Sequence, residues 1–485
     1  MATKFFTDDS PLIQDAKLGK NEHIPDLNTE SEFRKFFEIE RITQWIRDNA
    51  FKRTAFQLPD GFLQHAYRLS STVEAECNGA KMYILADTSY RSCCIDDVAA
   101  QHAKCDSLVH FGESCLSKTT DRIPVLYVFG KYSLNVESFC QKWTQFVKAT
   151  DLTDTTICLL YDSIFVHSKG LSLLLDSLRL DILDQLNEVF RKELCSSTNL
   201  ISFDLATDDQ IDDDKCKVTL GRTIPSSFEV QTSKTLLFFV GDKESKLLPV
   251  WLITFPLFTS YVHYVPETDE LLHENSTSNR LLRKRLFLVE KLRDANVVGL
   301  VVGTLEIKGY KDAIQRVREL CKAAGKKLYV LSIGKLNEAK LSNFASDIGA
   351  FIMLSCPFGI VLDSKNFYKP IVSMFEAEIA LNSSKEWFAS DGWTAEFSNF
   401  INDKITFEDA DKTDVSLITG KLRATQLVGD ETEDKNSQVI SYTAGDYFAN
   451  RSWKGLDDGY RQDESLEVKK GLTGTSMGYS NEKPS

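Results

Sequence analysis

The sequence lacks the long apolar runs of membrane proteins and the basic excess of nucleic-acid-binding proteins. Its longest apolar runs, such as Val297–Val302 and Leu247–Phe258, are short or interrupted by proline, whereas a membrane-spanning helix needs about 20 apolar residues. Residues 1–30 form a polar N-terminal extension without the apolar segment of a secretory signal. The net charge of −13 provides no basic excess for duplex nucleic acid. We therefore expect a cytoplasmic protein without direct contact to membranes or nucleic acid.

Several catalytic and metal-binding motifs are also missing. The chain has no Walker A motif, no glycine-rich dinucleotide-binding motif, no nucleophile elbow and no His-Glu-x-x-His motif. It has no Cys-x-x-Cys pair, which excludes the spacings of ferredoxins and zinc ribbons. Its eleven cysteines, in a chain expected inside the cell, favour reduced thiols, core residues or metal ligands over disulfides.

Helices alternate with short buried strands along most of the chain, a pattern typical of parallel α/β sheets. The order of helix, buried strand and polar turn occurs three times, with strands at Thr54–Leu58, Thr156–Tyr161 and Val297–Val302. Thr29 and Glu32 have the spacing of a capping box ahead of the first helix, and the apolar residues from Phe33 to Ile46 predict one amphipathic helix. The pattern predicts three related α/β domains. These are residues 31–132, residues 133–270 with an acidic loop, and residues 271–430, followed by a polar tail at 431–485.

Cysteines follow predicted strands in three segments of the chain. They are Cys93 and Cys94 ahead of a predicted helix at Ile95–His102, Cys115 after Leu108–Phe111, and Cys356 after Ala350–Leu354. Ligands of open parallel sheets bind at the carboxyl ends of strands, and a helix start lowers the pKa of a nearby thiol toward the metal-binding thiolate. A cysteine after a strand is nevertheless more often a small core residue. His110, which ends an apolar strand, is more typical of a structural histidine than of an acid–base catalyst.

The segments Ala86–Asp97 and Asp106–Ser117 resemble the eukaryotic diphthamide biosynthesis proteins, paralogous subunits of 2-(3-amino-3-carboxypropyl)histidine synthase. The matching order is Asp-Thr-Ser-Tyr, Cys-Cys, Ala-Ala-Gln-His, His-Phe-Gly and Cys-Leu-Ser. The resemblance continues through residues 56–61, 354–357 and 369–371, and it spans residues 31–430. The tail segment Arg451–Leu456 resembles the ending of the family's second-subunit branch.

This resemblance implies three similar α/β domains in a pseudo-threefold arrangement around a central cluster. The family's catalytic subunit binds a [4Fe-4S] cluster through three cysteines, one from each domain, and leaves one iron open for S-adenosylmethionine. Reductive cleavage there releases a 3-amino-3-carboxypropyl radical that adds to a histidine of elongation factor 2. That transfer is the first step of diphthamide biosynthesis.

The chain departs from the catalytic subunit's pattern in its middle domain. The turn after Thr156–Tyr161 is Asp162-Ser163 and contains no cysteine, while the first domain contains two cysteine segments. This arrangement is similar to the family's second, non-catalytic subunit. The resemblance therefore implies an auxiliary role, in which a second cluster supports reduction of the catalytic subunit's cluster.

By the same resemblance, the [4Fe-4S] ligands would be Cys94, Cys115 and Cys356. Adjacent residues rarely both bind one iron, because their side chains diverge. Cys94 aligns better with the family's ligand, and Cys93 is the alternative. The implied partners are the catalytic paralogue (diphthamide biosynthesis protein 1), the electron donor diphthamide biosynthesis protein 3, and elongation factor 2 as the substrate protein. The alternative is a cluster-free scaffold that stabilises the catalytic paralogue and docks elongation factor 2.

Overall fold

A computed structural model describes most of the chain between residues 27 and 420. The described residues are 27–86, 91–132, 136–150, 155–165, 199–206, 217–225, 228, 234–275, 278–334, 336–359, 367–382, 385, 392–405 and 415–420. The chain divides into two units, Met1–Asp430 and Glu431–Ser485, and every described residue belongs to the first. Residues 1–26, residues 207–216 of the acidic loop and the polar tail lie outside the described residues.

Two short helices, α1 (Glu30–Phe36) and α2 (Ile39–Asp48), precede the first sheet. The predicted capping box is present, because Thr29 and Glu32 exchange side-chain-to-backbone hydrogen bonds. The sequence predicted one continuous amphipathic helix here. The chain instead breaks at Glu38, whose backbone is left-handed with a φ of 51°.

The first sheet has four parallel strands in the order β2-β1-β3-β4. Its strands are β1 (Arg53–Gln57), β2 (Lys81–Ile84), β3 (Ser107–Phe111) and β4 (Val125–Val128). A 3-10 turn at Asp60–His65 leads into α3 (Ala66–Glu76), and α4 (Asp97–His102) precedes β3. Strand β3 is buried along its whole length, so the loop that follows it leaves the sheet from the interior.

The second sheet has the order β11-β10-β9-β5-β6, in which only the β10–β11 pairing is antiparallel. Its strands are β5 (Thr155–Tyr161), β6 (Asn199–Ser202), β9 (Lys234–Val240), β10 (Ser260–Val265) and β11 (Glu270–Asn275). A separate antiparallel hairpin consists of β7 (Lys217–Thr219) and β8 (Arg222–Ile224). The described helices of this region are α5 (Val136–Ala149) and α6 (Leu247–Thr254).

The third sheet has four parallel strands in the order β13-β12-β14-β15. Its strands are β12 (Val297–Val302), β13 (Lys327–Ser332), β14 (Ala350–Leu354) and β15 (Ile371–Ser373). Its helices are α7 (Ser278–Asp294), α8 (Tyr310–Ala323), α9 (Glu338–Ser342) and α10 (Met374–Leu381). Two buried ion pairs, Arg285–Glu376 and Arg316–Glu378, join α7 and α8 to α10.

The three sheets share one topology. In each of them the parallel strands, counted in chain order, lie in the order second, first, third, fourth, and the middle sheet adds β11 at its edge. The predicted α/β fold of three similar small parallel sheets is therefore confirmed. Within the described residues, no helix combines the length and the apolar character needed to cross a membrane.

Candidate metal centre

Four buried cysteines from two domains converge at one point. Cys93 and Cys94 follow β2, Cys115 follows β3, and Cys356 follows β14. Their four sulfur atoms all lie within 4.8 Å of one another. The Sγ–Sγ distances are 3.9 Å for Cys93–Cys356 and 3.9 Å for Cys94–Cys115, and all four are free thiols. The structure thus brings together the three cysteines that the resemblance singled out, and it places Cys93 with them.

The side chain of Gln57, the last residue of β1, forms hydrogen bonds with the turn that carries the adjacent cysteines. Its Nε2 donates to the carbonyl oxygen of Cys94 at 2.7 Å, and its Oε1 accepts from the N–H of Asp96 at 2.9 Å. The Cys94 N–H closes the turn by donating to the Arg91 carbonyl at 3.1 Å. This tight turn explains why two neighbouring side chains reach the same point, which the expectation of divergence had missed.

His110 supports the same turn from strand β3. Its Nε2 lies 3.0 Å from the carbonyl oxygen of Ser92, and burial lowers the pKa of this imidazole to about 4. The neutral ring therefore donates its Nε2–H to the carbonyl. This contact agrees with the structural role expected for His110.

The loop with Cys115 is bonded directly to the turn with Cys93. The Cys115 N–H and the Ser114 hydroxyl both donate to the Cys93 carbonyl, at 3.1 Å and 3.3 Å. The hydroxyl of Ser117 lies 3.4 Å from the Cys115 sulfur and donates to it. The middle domain reaches this loop through Ser163, whose hydroxyl accepts the Ser114 N–H at 3.4 Å.

Two glycines allow the surrounding backbone to approach closely. Gly221, at the tip of the β7–β8 hairpin, has a φ of +68°, and a Cβ there would lie 2.4 Å from the Cβ of Leu116. The hairpin therefore packs against the residue next to Cys115. Gly359 ends the 3-10 turn that follows Cys356, and a Cβ there would lie 1.9 Å from the Ser355 hydroxyl. A side chain at either position would require these neighbouring side chains or the backbone to shift.

The thiols strongly influence one another's ionisation. Hydrogen bonding to the neighbouring Cys115 and Cys356, together with burial, raises the pKa of Cys93 and Cys94 well above the usual value. The pKa of Cys356 is instead lowered well below it, because the surrounding thiols donate to its sulfur. The prediction that a helix start lowers the pKa of the first pair was therefore wrong. Helix α4 begins only at Asp97 and is capped by the side chain of the preceding residue.

This donor set suits a metal group. The pocket favours the thiolate on Cys356 and disfavours it on Cys93 and Cys94. A bound iron or zinc would supply the positive charge that favours thiolates on all its cysteine ligands. At most 4% of each cysteine is exposed, and burial in such a sulfur-rich pocket is typical of iron–sulfur sites.

Sequence reasoning missed two side chains near the cysteines. Gln57 lay within a matched segment and carried no role of its own, and Glu306, in the loop after β12, received no attention. Cys93 was the alternative to its neighbour Cys94, and the structure brings both into the pocket. Cys77, Cys105, Cys158 and Cys321 are buried in the hydrophobic cores.

Comparison with known proteins shows that the chain matches a protein family. The family model for diphthamide synthesis proteins matches residues 58–392, a range that includes all four cysteines. This chain belongs to the diphthamide synthesis family. Its fold is similar to the crystal structure of Dph2 from Pyrococcus horikoshii with a 4Fe-4S cluster, with a TM-score of 0.52 and 18% identity over 74% of this chain and 95% of that chain.

Curated relatives match nearly the whole chain. The Caenorhabditis elegans 2-(3-amino-3-carboxypropyl)histidine synthase subunit 2 is 40% identical over 98% of each protein. The subunit 2 of Xenopus laevis is 33% identical over 96% of this chain and 97% of its own length. These relatives carry the name of the second subunit, which confirms the branch of the family indicated by the sequence. Membership in this family links the chain to diphthamide biosynthesis.

Proposed function

We propose that this chain is the auxiliary subunit of a heterodimer that transfers a 3-amino-3-carboxypropyl group from S-adenosylmethionine to a histidine of elongation factor 2. Its partners in this role are the catalytic paralogue and the electron donor diphthamide biosynthesis protein 3. It acts in the cytoplasm and holds a [4Fe-4S] cluster that supports reduction of the catalytic subunit's cluster. The observation that carries the proposal is the convergence of four buried cysteine sulfurs within 4.8 Å.

In this proposal Cys94, Cys115 and Cys356 are ligands, and Cys93 supplies the fourth sulfur. When bound, such a cluster takes up and releases one electron at a time. Four protein thiolates leave no open iron position, which suits electron transfer rather than binding of S-adenosylmethionine. Gln57 holds the turn of the adjacent cysteines, and the buried surroundings exclude water from the sulfur atoms.

The close contact of the sulfurs also favours a second candidate, a structural site for a single ion. Four thiolates around one tetrahedral zinc, with bonds of about 2.3 Å, lie about 3.8 Å apart. The two measured distances of 3.9 Å match this spacing. A [4Fe-4S] cluster is larger than one ion, so the four sulfurs must move apart to hold it. Inorganic sulfide distinguishes the two candidates, since only the cluster contains it.

The test is anaerobic purification of this chain with a catalytic paralogue whose own cluster cysteines are changed to alanine. Iron, zinc and inorganic sulfide are measured for each heterodimer, and EPR spectra are recorded after reduction. We expect about four irons with equivalent sulfide, and we expect their loss from the Cys94→Ala/Cys356→Ala variant. The matched control is Cys158→Ala, which removes a buried cysteine of strand β5 and should retain the iron.

Each other result contradicts a definite part of the proposal. One zinc or iron without sulfide would establish the single-ion site. A metal-free but stably paired chain would establish the scaffold alternative. Full iron content in the Cys94→Ala/Cys356→Ala variant would show that the ligands lie elsewhere.

A further inference from the structure

Glu306 is a buried acid whose carboxyl group has no hydrogen-bond partner. It follows β12 in the third domain and is 3% exposed. Neither of its carboxyl oxygens has a hydrogen-bond partner, and no other carboxyl oxygen of the described residues is buried in this way. Burying an ionised carboxylate without donors costs several kcal/mol, so this environment favours the neutral acid.

The backbone places this acid beside the loop of Cys115. The N–H of Lys308 donates to the carbonyl of Lys118 at 2.9 Å, and Ile307 forms an isolated antiparallel bridge with Thr119. Glu306 directly precedes this bridge. The third domain is thus joined to the first within a few residues of the sulfur pocket.

The charged groups that act on Glu306 all disfavour its ionisation. Burial, together with the nearby carboxylates of Asp96 and Asp97 and the thiols of Cys115 and Cys356, raises its pKa to about 9. Both aspartates are bound to other groups, because Asp96 caps helix α4 and Asp97 is paired with Arg122 at 3.3 Å. The acid therefore retains its own proton beside the sulfur pocket at neutral pH.

We propose that Glu306 donates a hydrogen bond from its neutral carboxyl group to the cysteine-bound cluster and thereby raises the cluster's reduction potential. A donor at a sulfur atom stabilises the more negative, reduced state. The step takes one electron from a one-electron reductant, and no proton is transferred. This inference rests on the proposed cluster and adds a tuning residue to it.

The test compares Glu306→Leu, which removes the donor, with Glu306→Gln, whose amide keeps one. Each variant is purified with the catalytic paralogue that lacks its own cluster cysteines, and its midpoint potential is determined by an EPR-monitored redox titration. We expect a lower potential in Glu306→Leu at unchanged iron content, and a potential near that of the unsubstituted chain in Glu306→Gln. An unchanged potential in Glu306→Leu would overturn the proposal.

Glu396→Leu is the matched control. Burial also raises the pKa of Glu396, but its carboxylate already accepts the N–H of Leu220 at 3.0 Å. Glu396→Leu should leave the reduction potential of the cluster unchanged. An equal shift in Glu306→Leu and Glu396→Leu would show a general effect on the fold and would contradict the proposed hydrogen bond.

A second measurement remains informative if the purified pair contains no cluster. The infrared difference between the metal-free chain and its Glu306→Gln variant at pH 7 should contain the carbonyl band of a protonated carboxylic acid. A carboxylate band in its place would overturn the inference independently of the cluster. Absence of iron with the acid band present would instead count against the proposed function alone.

Discussion

The middle domain uses the same strand order as its two neighbours but places different chemistry at the ends of its strands. The third strands of the first and third sheets lead to Cys115 and Cys356, whereas the third strand of the middle sheet, β9, leads to Asp242. There the carboxylate of Asp162 accepts the Asp242 N–H at 3.0 Å and the Ser245 hydroxyl at 2.7 Å. Equivalent positions thus carry candidate metal ligands in the first and third domains and a polar network in the middle domain.

A buried arginine acts on Asp162 by its charge. Arg222 of the β7–β8 hairpin donates to the carbonyls of Tyr161 and Leu220 at 2.7 Å and 3.0 Å. It ties the hairpin to the end of β5, and the hairpin tip packs against Leu116. The middle domain thus packs against the loop of Cys115, while the cysteines come from the other two domains.

Gln57 and Asp162 test this comparison, because they occupy similar places in their sheets. Gln57 is the last residue of β1, and Asp162 directly follows β5. Gln57→Leu removes the hydrogen bonds that hold the adjacent cysteines, and we expect it to weaken metal retention about tenfold or more. The measurement is the loss of iron from the purified pair during incubation with a chelator. The control is Gln101→Leu, at an exposed position of helix α4; equal retention in both variants would contradict the role of Gln57.

Asp162→Asn should change the pH dependence of stability and leave the iron content unaltered. Burial, reinforced by the Glu113 carboxyl, raises the pKa of Asp162 to about 8, well above the value of about 4 in an unfolded chain. The unfolded chain therefore loses this proton first. The stabilising contribution is complete below about pH 4 and disappears as the pH rises through about 8.

The Asn variant lacks this titration, so the pH slope of its free energy of unfolding should be smaller. Between pH 5 and 7 we expect the decrease in slope to reach up to about 1.4 kcal/mol per pH unit. Urea denaturation at several pH values measures it. Parallel pH profiles for the two proteins would show that Asp162 titrates normally in the fold.

The smallest effect is expected at the surface link between the first and third domains. Lys308 and Asp121 form an ion pair at 2.8 Å, but both side chains are about two-thirds exposed. Lys308→Ala should therefore lower the free energy of unfolding by less than about 1 kcal/mol and keep the redox potential. The adjacent backbone bond from Lys308 to Lys118 does not depend on the side chain. A loss of several kcal/mol in urea denaturation would show that the ion pair joins these domains.

Local patterns in the sequence located most of the elements. The strands Val297–Val302 and Ala350–Leu354 have the predicted bounds, and α4 begins two residues later than predicted. The periodicity of a strand or helix indicates which of its residues are buried. It can be read from residues that are close together in the chain. The break at Glu38 escaped this reasoning, because apolar residues continue on both sides of it.

The sequence by itself determined the α/β class, the three repeated units and the position of each cysteine after a strand. Family resemblance added the expected chemistry. Only the tertiary structure decided that Cys93 shares the pocket with Cys94, and that Glu306 lies buried beside it without a partner. Burial periodicity carries no information about which loops of separate sheets converge. That convergence depends on how the sheets pack, and it brings residues more than 200 positions apart into contact, as with Cys93 and Cys356.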